Sequence, residues 1–174
     1  MRATAVGRET VLIQLSLMTV MTALVAVGTL VIRIPNPMGG YFNVGDVMIF
    51  VSSLTFGPLV GGFAGGVGSA IADMIGFPVF AIPTLIIKGL EGLIAGLIAN
   101  RKSVYRDVVA VFVAGSIMVT GYFLVELYVL QWGIGGALAE VPGNVAQIVV
   151  GGVVGIPLSY IVRRRLPEIL KHRV

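Results

Sequence analysis

The amino-acid sequence predicts an all-α membrane protein with six transmembrane helices and both termini in the cytoplasm. Hydrophobic residues make up 57% of the 174-residue chain and charged residues only 11%, whereas a soluble domain has roughly 25% charged residues. The mean hydropathy of +1.01 also indicates a membrane protein. The 24 glycines fit this class, because glycine is commoner in transmembrane helices than in soluble ones. The length predicts a single integral membrane domain over residues 1–174.

Six apolar runs define the predicted spans. A helix needs about 20 residues to cross the hydrocarbon core, so the short second run implies a tilt or an upstream loop that dips into the bilayer. Pro83 suits the first turn of the fourth helix, and Pro157 is expected to kink the sixth. The predicted spans cover about residues 11–32, 44–56, 58–75, 83–99, 108–130 and 144–162.

Lysine and arginine set the predicted orientation. They cluster before the first span, between the fourth and fifth, and after the sixth. With six spans these three groups fall on one side, and cytoplasmic loops contain the excess of basic residues. The net charge of +4 is therefore a topology signal, and no nucleic-acid partner is predicted.

Five of the predicted spans place polar side chains at one depth, in the outer half of the bilayer. A charge within the bilayer costs at least about 2.5–3.5 kcal/mol on the insertion scale. A water-accessible cavity that opens outward accounts for all of these side chains. They are Asp46, Asp73, Lys88, Glu91, Glu126, Asn144 and Gln147.

Structural roles are alternatives for several of these residues. Lys88 and Glu91 are three residues apart on one helix face, which suits either a structural ion pair or contact with a ligand. Asp46 and Asp73 lie near helix ends, where loop amides are alternative partners. Glu126 has no cation near it in the sequence, which favours a ligand role.

The two amide residues of the sixth span and the aromatic residues of the outer interface could also have either a structural or a ligand-binding role. Asn144 could cap the sixth helix, whereas Gln147 lies one turn further in. Aromatic residues at the outer interface form either an interfacial belt or a stacking surface for a planar ligand. They are Tyr41, Phe42, Tyr128 and Trp132.

Several glycines lie four residues apart, as in "GPLVGGFAGGVGSAIAD", a spacing that lets helices pack closely. This stretch lacks the Gly-Lys-Ser/Thr ending of a phosphate-binding loop, so the chain has no ATPase of its own. The only histidine, His172, lies in the C-terminal tail. No cofactor, metal site or enzymatic activity is predicted, and an enzyme that uses Glu91 or Glu126 with Asp46 is a minor alternative.

The first span contains small residues four apart, Thr19 with Ala23 and Thr22 with Ala26. This strip predicts close packing, either against the protein's own helices or against another membrane protein.

The stretch "GGYFNVGDVMIFVSSLTFGPLVGGFAGGVGSAIADMIGFPVFAIPTLIIKGLEGLIAGLI", Gly39 to Ile98, resembles the S components of energy-coupling factor (ECF) transporters. The nearest subgroup has "GYFNxGD" and "KGLEG" signatures. The resemblance implies a six-helix subunit of the cell membrane that binds a vitamin on its outer side. Such a subunit joins a membrane coupling protein and two cytoplasmic ATPases.

The resemblance also implies functional positions. The coupling protein would contact either Thr19 with Ala23 or Thr22 with Ala26, and the loop from Pro35 to Asn43 would be the lid. Ligands would be held by the first loop and the outer ends of the fourth to sixth helices. The matching residues are Tyr41, Asn43, Lys88, Glu91, Glu126, Asn144 and Gln147.

The predicted function is therefore high-affinity binding of a water-soluble vitamin or precursor for ATP-driven uptake. Two carboxylates, a lysine and aromatic residues suit a flat heterocycle such as riboflavin, a thiamine-related pyrimidine or pyridoxine. The alternatives are a self-sufficient secondary transporter or channel, which predicts polar residues through the inner half, and a scaffold without a ligand.

Overall fold

The computed structural model describes residues 2–35 and 41–166, with side chains from residue 9 onward. Six helices form one bundle, which confirms the predicted fold class. A two-stranded antiparallel sheet, a 3₁₀ turn (Pro78–Phe80) and a π-helical turn (Val125–Val129) complete the described part of the chain. The helices are α1 (Arg2–Val31), α2 (Gly45–Phe56), α3 (Pro58–Gly76), α4 (Ala81–Ile98), α5 (Val104–Leu124) and α6 (Gly133–Arg165), and the strands are β1 (Arg33–Pro35) and β2 (Tyr41–Asn43).

The two ends of the bundle differ. The sheet lies at one end, with the starts of α2, α4 and α6, and we call this the sheet end. The other, the loop end, has the start of α1, the connection between α4 and α5, and the end of α6. Which end faces the cytoplasm stays a prediction from the basic residues.

Within residues 2–35 and 41–166, five helical segments are long and apolar enough to span a membrane, and α2 is the exception. Its 12 residues reach only about 18 Å at 1.5 Å per residue. All of them except Met48 are buried, and α1, α3, α4 and α6 pack around α2. Because other helices rather than lipid surround it, α2 does not need the length of a lipid-exposed span.

The sixth helix starts earlier than the sequence predicts. α6 begins at Gly133 and includes Pro142 and Pro157, whereas the predicted span began at 144. Asn144 therefore lies within the helix, and the interpretation of Asn144 as a helix cap is wrong. The glycine- and proline-rich segment before it looks like a loop in the sequence, but a membrane helix tolerates proline where neighbouring groups satisfy the backbone.

Glycines hold α3 and α4 together. A Cβ atom on Gly65 would lie 2.6 Å from the carbonyl oxygen of Lys88, and one on Gly92 would collide with the carbonyl oxygen of Gly61. The close-packing role predicted for the glycines is thereby confirmed. It also fixes the backbone of Lys88 against α3.

A buried ion pair closes the loop end. The Nη1 of Arg163 lies 2.8 Å from Oδ2 of Asp107, and its Nη2 lies 3.2 Å from Oδ1. The same Nη2 donates to the carbonyl oxygen of Leu54. This two-point pair joins α6 to α5 and α2. The sequence analysis took the basic residues after the sixth span only as a topology signal.

Candidate functional site

One cavity at the sheet end collects six of the seven predicted ligand-binding residues. It has about 470 Å³ of atom-free space, including its open mouth. The seventh predicted residue, Glu91, does not line the cavity and is fully buried beneath Lys88. The six lining residues are Tyr41, Asn43, Lys88, Glu126, Asn144 and Gln147.

Lys88 joins two helices, α2 and α4, at the base of the cavity. Its Nζ forms an ion pair with Asp46 on α2 and another, at 3.0 Å, with Glu91 one turn along α4. The three side chains are only 3%, 1% and 0% exposed. Lys88 is thus part of a structural ion pair and also lines the cavity. The partner of Asp46 is this lysine rather than a loop amide.

Tyr41 ties the sheet to the end of α3 at the mouth. Its hydroxyl donates to the Asp73 carboxylate, so Asp73 binds a phenol rather than a loop amide. Its ring stacks on Phe77 with centroids 5.1 Å apart, and the guanidinium of Arg33 lies 5.1 Å from the ring centroid. Burial, and then the Asp73 charge, raises the pKa of Tyr41. Tyr41 therefore stays protonated and remains a donor.

Asn43 has a structural contact as well as a place in the cavity wall. Its Oδ1 accepts a hydrogen bond from the backbone N–H of Gly45 at 2.8 Å. This bond satisfies one of the free N–H groups at the start of α2. Asn43 thereby fixes the direction in which α2 enters the bundle.

The π-helical turn places Glu126 in the wall. The backbone N–H of Leu130 bonds to the carbonyl oxygen of Val125 at 2.9 Å, and that of Trp132 bonds to Glu126 at 3.0 Å. Single π turns are frequent at functional sites. The Glu126 side chain is 3% exposed, and its Oε2 has no hydrogen-bond partner within the described part of the chain.

Helix α6 contributes a row of three polar residues: Glu140, Asn144 and Gln147. Their spacing of four and three places them on one helix face. The Nε2 of Gln147 donates to Oδ1 of Asn144 at 3.3 Å, while Gln147 Oε1 has no partner among the described residues. Sequence reasoning missed Glu140 because it lay in a presumed loop, although the spacing to Asn144 and Gln147 is a helical signal.

Aromatic side chains also line the cavity. Phe80 and Tyr122 line the cavity, and the Phe80 ring meets Tyr122 and Trp132 edge-on, with centroids 6.2 and 5.6 Å away. The Tyr122 hydroxyl lies 2.8 Å from that of Thr84. The sequence analysis identified neither Phe80 nor Tyr122. Tyr128 points outward and is 71% exposed, which fits the interfacial belt.

The two small-residue pairs of α1 face opposite ways. Thr22 and Ala26 are buried inside the bundle, whereas Thr19 and Ala23 are exposed on its outer surface. The Thr19 hydroxyl donates back to the carbonyl oxygen of Leu15 at 2.9 Å. A neighbour on that surface would therefore meet a smooth strip with its polar group already bonded.

The described residues contain no group of three acidic or histidine side chains that could hold a metal ion. The fold and the cavity together define a multi-pass membrane protein with a partly enclosed, polar and aromatic binding cavity. The chain belongs to the family of the S components of ECF-type riboflavin transporters, whose sequence profile matches residues 10–164. This confirms the resemblance noted in the sequence and makes the protein a transport subunit of the membrane rather than an enzyme.

Two relatives and one solved structure are similar to this chain. A protein from Pyrococcus woesei, described as an uncharacterized protein in the gap 3' region, is 48% identical over 149 residues, which cover 84% of this chain and 99% of that one. The thiamine precursor transporter HmpT of Lactococcus lactis subsp. cremoris is 32% identical over 154 residues, which cover 87% and 88%. The structure of the S component of a bacterial ECF transporter superposes with a TM-score of 0.63. At 20% identity, covering 91% of this chain and 98% of that one, it shows the shared fold.

Proposed function

We propose that the protein captures a flat, water-soluble vitamin or vitamin precursor from outside the cell in the sheet-end cavity. It then delivers this ligand through an ATP-driven ECF complex. The proposal depends above all on the convergence of six predicted residues, from separate parts of the chain, on one cavity. The description of the family names riboflavin as the transported compound, and that of one relative names a thiamine precursor. Both compounds contain planar heterocycles.

The cavity offers a suitable surface to such a ring. Phe80 and Tyr122 supply an aromatic wall, and aromatic faces favour offset or edge-to-face contact with another ring. In the same cavity, Glu126 and Gln147 accept hydrogen bonds from ring N–H or amino groups. Lys88 donates to a carbonyl or hydroxyl of the ligand, while Glu91 acts indirectly by holding Lys88 in place.

The entrance lies beside the sheet. Tyr41 and Asn43 end the segment that we propose as the lid, and residues 36–40 of that segment lie outside the described residues. Asn144 acts by orienting Gln147 through their hydrogen bond. Tyr41 is held by Asp73, so this end of the proposed lid segment is fixed to α3.

The proposed docking surface for the coupling protein is the exposed strip of Thr19 and Ala23. Thr22 and Ala26 are already covered by the protein's own helices, so the choice between the two registers favours Thr19 with Ala23. Small residues let a partner helix approach closely in lipid. The coupling protein would in turn connect this subunit to the two cytoplasmic ATPases.

The experiment that tests the proposal is identification of the natural ligand. Protein purified in detergent is denatured, and the released compounds are identified by mass spectrometry. Ligand-free protein is then titrated by calorimetry with riboflavin, thiamine, aminopyrimidine precursors and pyridoxine. We expect one heterocycle to bind stoichiometrically. A protein that releases nothing and binds none of these compounds would show that the cavity is not a vitamin site.

A further inference from the structure

Two buried acceptor atoms line the cavity without a protein partner. Oε2 of Glu126 and Oε1 of Gln147 have no hydrogen bond within the described residues, although their side chains are only 3% and 4% exposed. Buried polar groups are nearly always hydrogen-bonded. Since both unsatisfied atoms are acceptors, the missing group is a hydrogen-bond donor.

The charges at the base of the cavity do not supply that donor. Among the described residues that line the cavity, Lys88 is the one cation. Its ammonium group already contacts both Asp46 and Glu91. One positive charge thus lies between two negative ones, and Lys88 leaves no excess positive charge for the other acidic residues of the lining.

The remaining charged residues of the lining are all acidic: Asp73, Glu126 and Glu140. Asp73 accepts from Tyr41, and Arg33 lies against that tyrosine at the mouth. Glu126 and Glu140 come from the π-helical turn and from the second turn of α6, which adjoin through the Trp132 to Glu126 backbone bond. This wall therefore combines two carboxyl groups with the free Gln147 oxygen.

We propose that the ligand is a nitrogen heterocycle that presents an amino group, or a protonated ring nitrogen beside one, to Glu126, Glu140 and Gln147. This inference rests on the proposed function and narrows its ligand class. An amino group next to a protonated ring nitrogen forms two parallel hydrogen bonds with a carboxylate, and such charge-assisted bonds are the strong ones. The ring of a neutral flavin has no amino group and only one N–H among its carbonyl and ring-nitrogen acceptors, so most of its polar edge would face the protein's own acceptors.

A matched pair of ligands tests, on the unmodified protein, whether the cavity prefers an amino group. The probes are 4-amino-5-hydroxymethyl-2-methylpyrimidine and its 4-oxo counterpart, which have nearly the same size and differ by an amino donor or a carbonyl acceptor. Calorimetric titration of ligand-free protein in detergent gives both dissociation constants. We expect the amino compound to bind roughly 10- to 100-fold more tightly, because the oxo compound places a carbonyl acceptor where the amino group would donate to the protein's acceptors.

Variants of the protein show which residues cause the preference for the amino compound. Glu126→Gln and Glu140→Gln each replace a carboxylate by an amide that also donates, so the preference for the amino compound should fall to within about 3-fold. Glu9→Gln makes the same chemical change on an exposed side chain of α1 and should leave the preference unchanged. Thermal unfolding of each variant shows that it is folded, and if either fails to fold, the ligand pair on the unmodified protein decides.

The outcomes separate this inference from the proposed function. Equal affinity for the two pyrimidines overturns the inference. Tight binding of riboflavin with weak binding of both pyrimidines also overturns it, but leaves the proposed function standing. Failure of every vitamin and precursor to bind overturns both.

Discussion

Among the single residues, Lys88 forms ion pairs with two buried carboxylates. It lies between Asp46 and Glu91, and all three are almost fully buried. Such a pair contributes little net stability, but removal of one partner leaves uncompensated buried charge. Lys88 therefore acts as a neutralising centre for α2 and α4, in addition to its place in the cavity wall.

Replacement of the lysine should therefore destabilise the fold. We expect Lys88→Met to lower the free energy of unfolding by about 3–5 kcal/mol, because Asp46 and Glu91 would face each other without a cation. Denaturant unfolding in detergent, followed by circular dichroism, measures the loss. Lys102→Met, in the exposed connection between α4 and α5, is the control and should have little effect.

A triple variant separates charge from packing. Lys88→Met combined with Asp46→Asn and Glu91→Gln removes the buried charges together, so most of the lost stability should return. If Lys88→Met alone unfolds like the unmodified protein, these charges are not coupled in the way that the structure shows.

Individual residues of the cavity show which parts of the site the sequence could predict. The depth of the polar groups was predictable, because a charge within an apolar run is visible without a structure. The ion pair between Lys88 and Asp46 was not, since it joins residues 42 positions apart and depends on how the helices pack. Glu140 was missed because Pro142 and Gly143 look like loop residues, and the inward placement of Glu126 depends on a π turn that has no simple sequence signal.

At the scale of helices, α1 has two faces with different uses. The buried face with Thr22 and Ala26 packs closely on α3, since a Cβ on Gly68 would lie 2.7 Å from the carbonyl oxygen of Thr22. The exposed face has Thr19 and Ala23 between larger apolar side chains such as Val20 and Val27. The sequence predicted the small-residue strip, but only the packing of α1 distinguishes its two registers.

A pair of substitutions on α1 tests this assignment. Ala23→Leu should block assembly with the coupling protein and the ATPases while ligand affinity and thermal stability stay unchanged, because the added side chain faces outward. Ala26→Leu should instead destabilise the subunit, by about 1–3 kcal/mol, because it overpacks a buried contact. Co-purification of the complex and thermal unfolding distinguish the two effects.

An exposed alanine on another helix is the control for assembly. Ala146→Leu, on the outer face of α6, should leave both assembly and stability unchanged. If Ala23→Leu assembles as well as Ala146→Leu does, the coupling protein binds elsewhere on the subunit.

The contact between α3 and α4 depends on glycine. Gly92→Ala should cost about 1–3 kcal/mol or more, because its Cβ would collide with the Gly61 carbonyl and force α4 outward. Ligand affinity should fall as well, since α4 positions Lys88. Thermal unfolding and calorimetry measure both effects.

Gly135→Ala is the matched control for this change. Its added Cβ would meet no atom within 4 Å, and alanine favours a helix over glycine by about 1 kcal/mol. We therefore expect unchanged or slightly higher stability. A Gly92→Ala protein as stable as the unmodified one would show that the two helices can separate without cost.

In the whole molecule, the cavity opens at the sheet end and apolar packing closes the other side. Below the Lys88 cluster, a core of Phe50, Leu54, Val111 and Ala114 fills the space between α2, α4 and α5. The ion pair of Arg163 and Asp107 then joins helices at the loop end. Among the described residues, this apolar core lies between the cavity and the loop end, which predicts that ligand release needs a movement of the helices.

This arrangement predicts that the subunit binds its ligand but does not transport it alone. In proteoliposomes that contain only this protein, labelled ligand should be bound at a stoichiometric level, without accumulation under an ion gradient. Addition of the coupling protein, both ATPases and ATP should produce uptake, and ATPases inactivated by mutation should abolish it. Accumulation by the protein alone would contradict the apolar barrier and favour a self-sufficient secondary transporter, whereas binding without uptake in either preparation would show that these ATPases are not its partners.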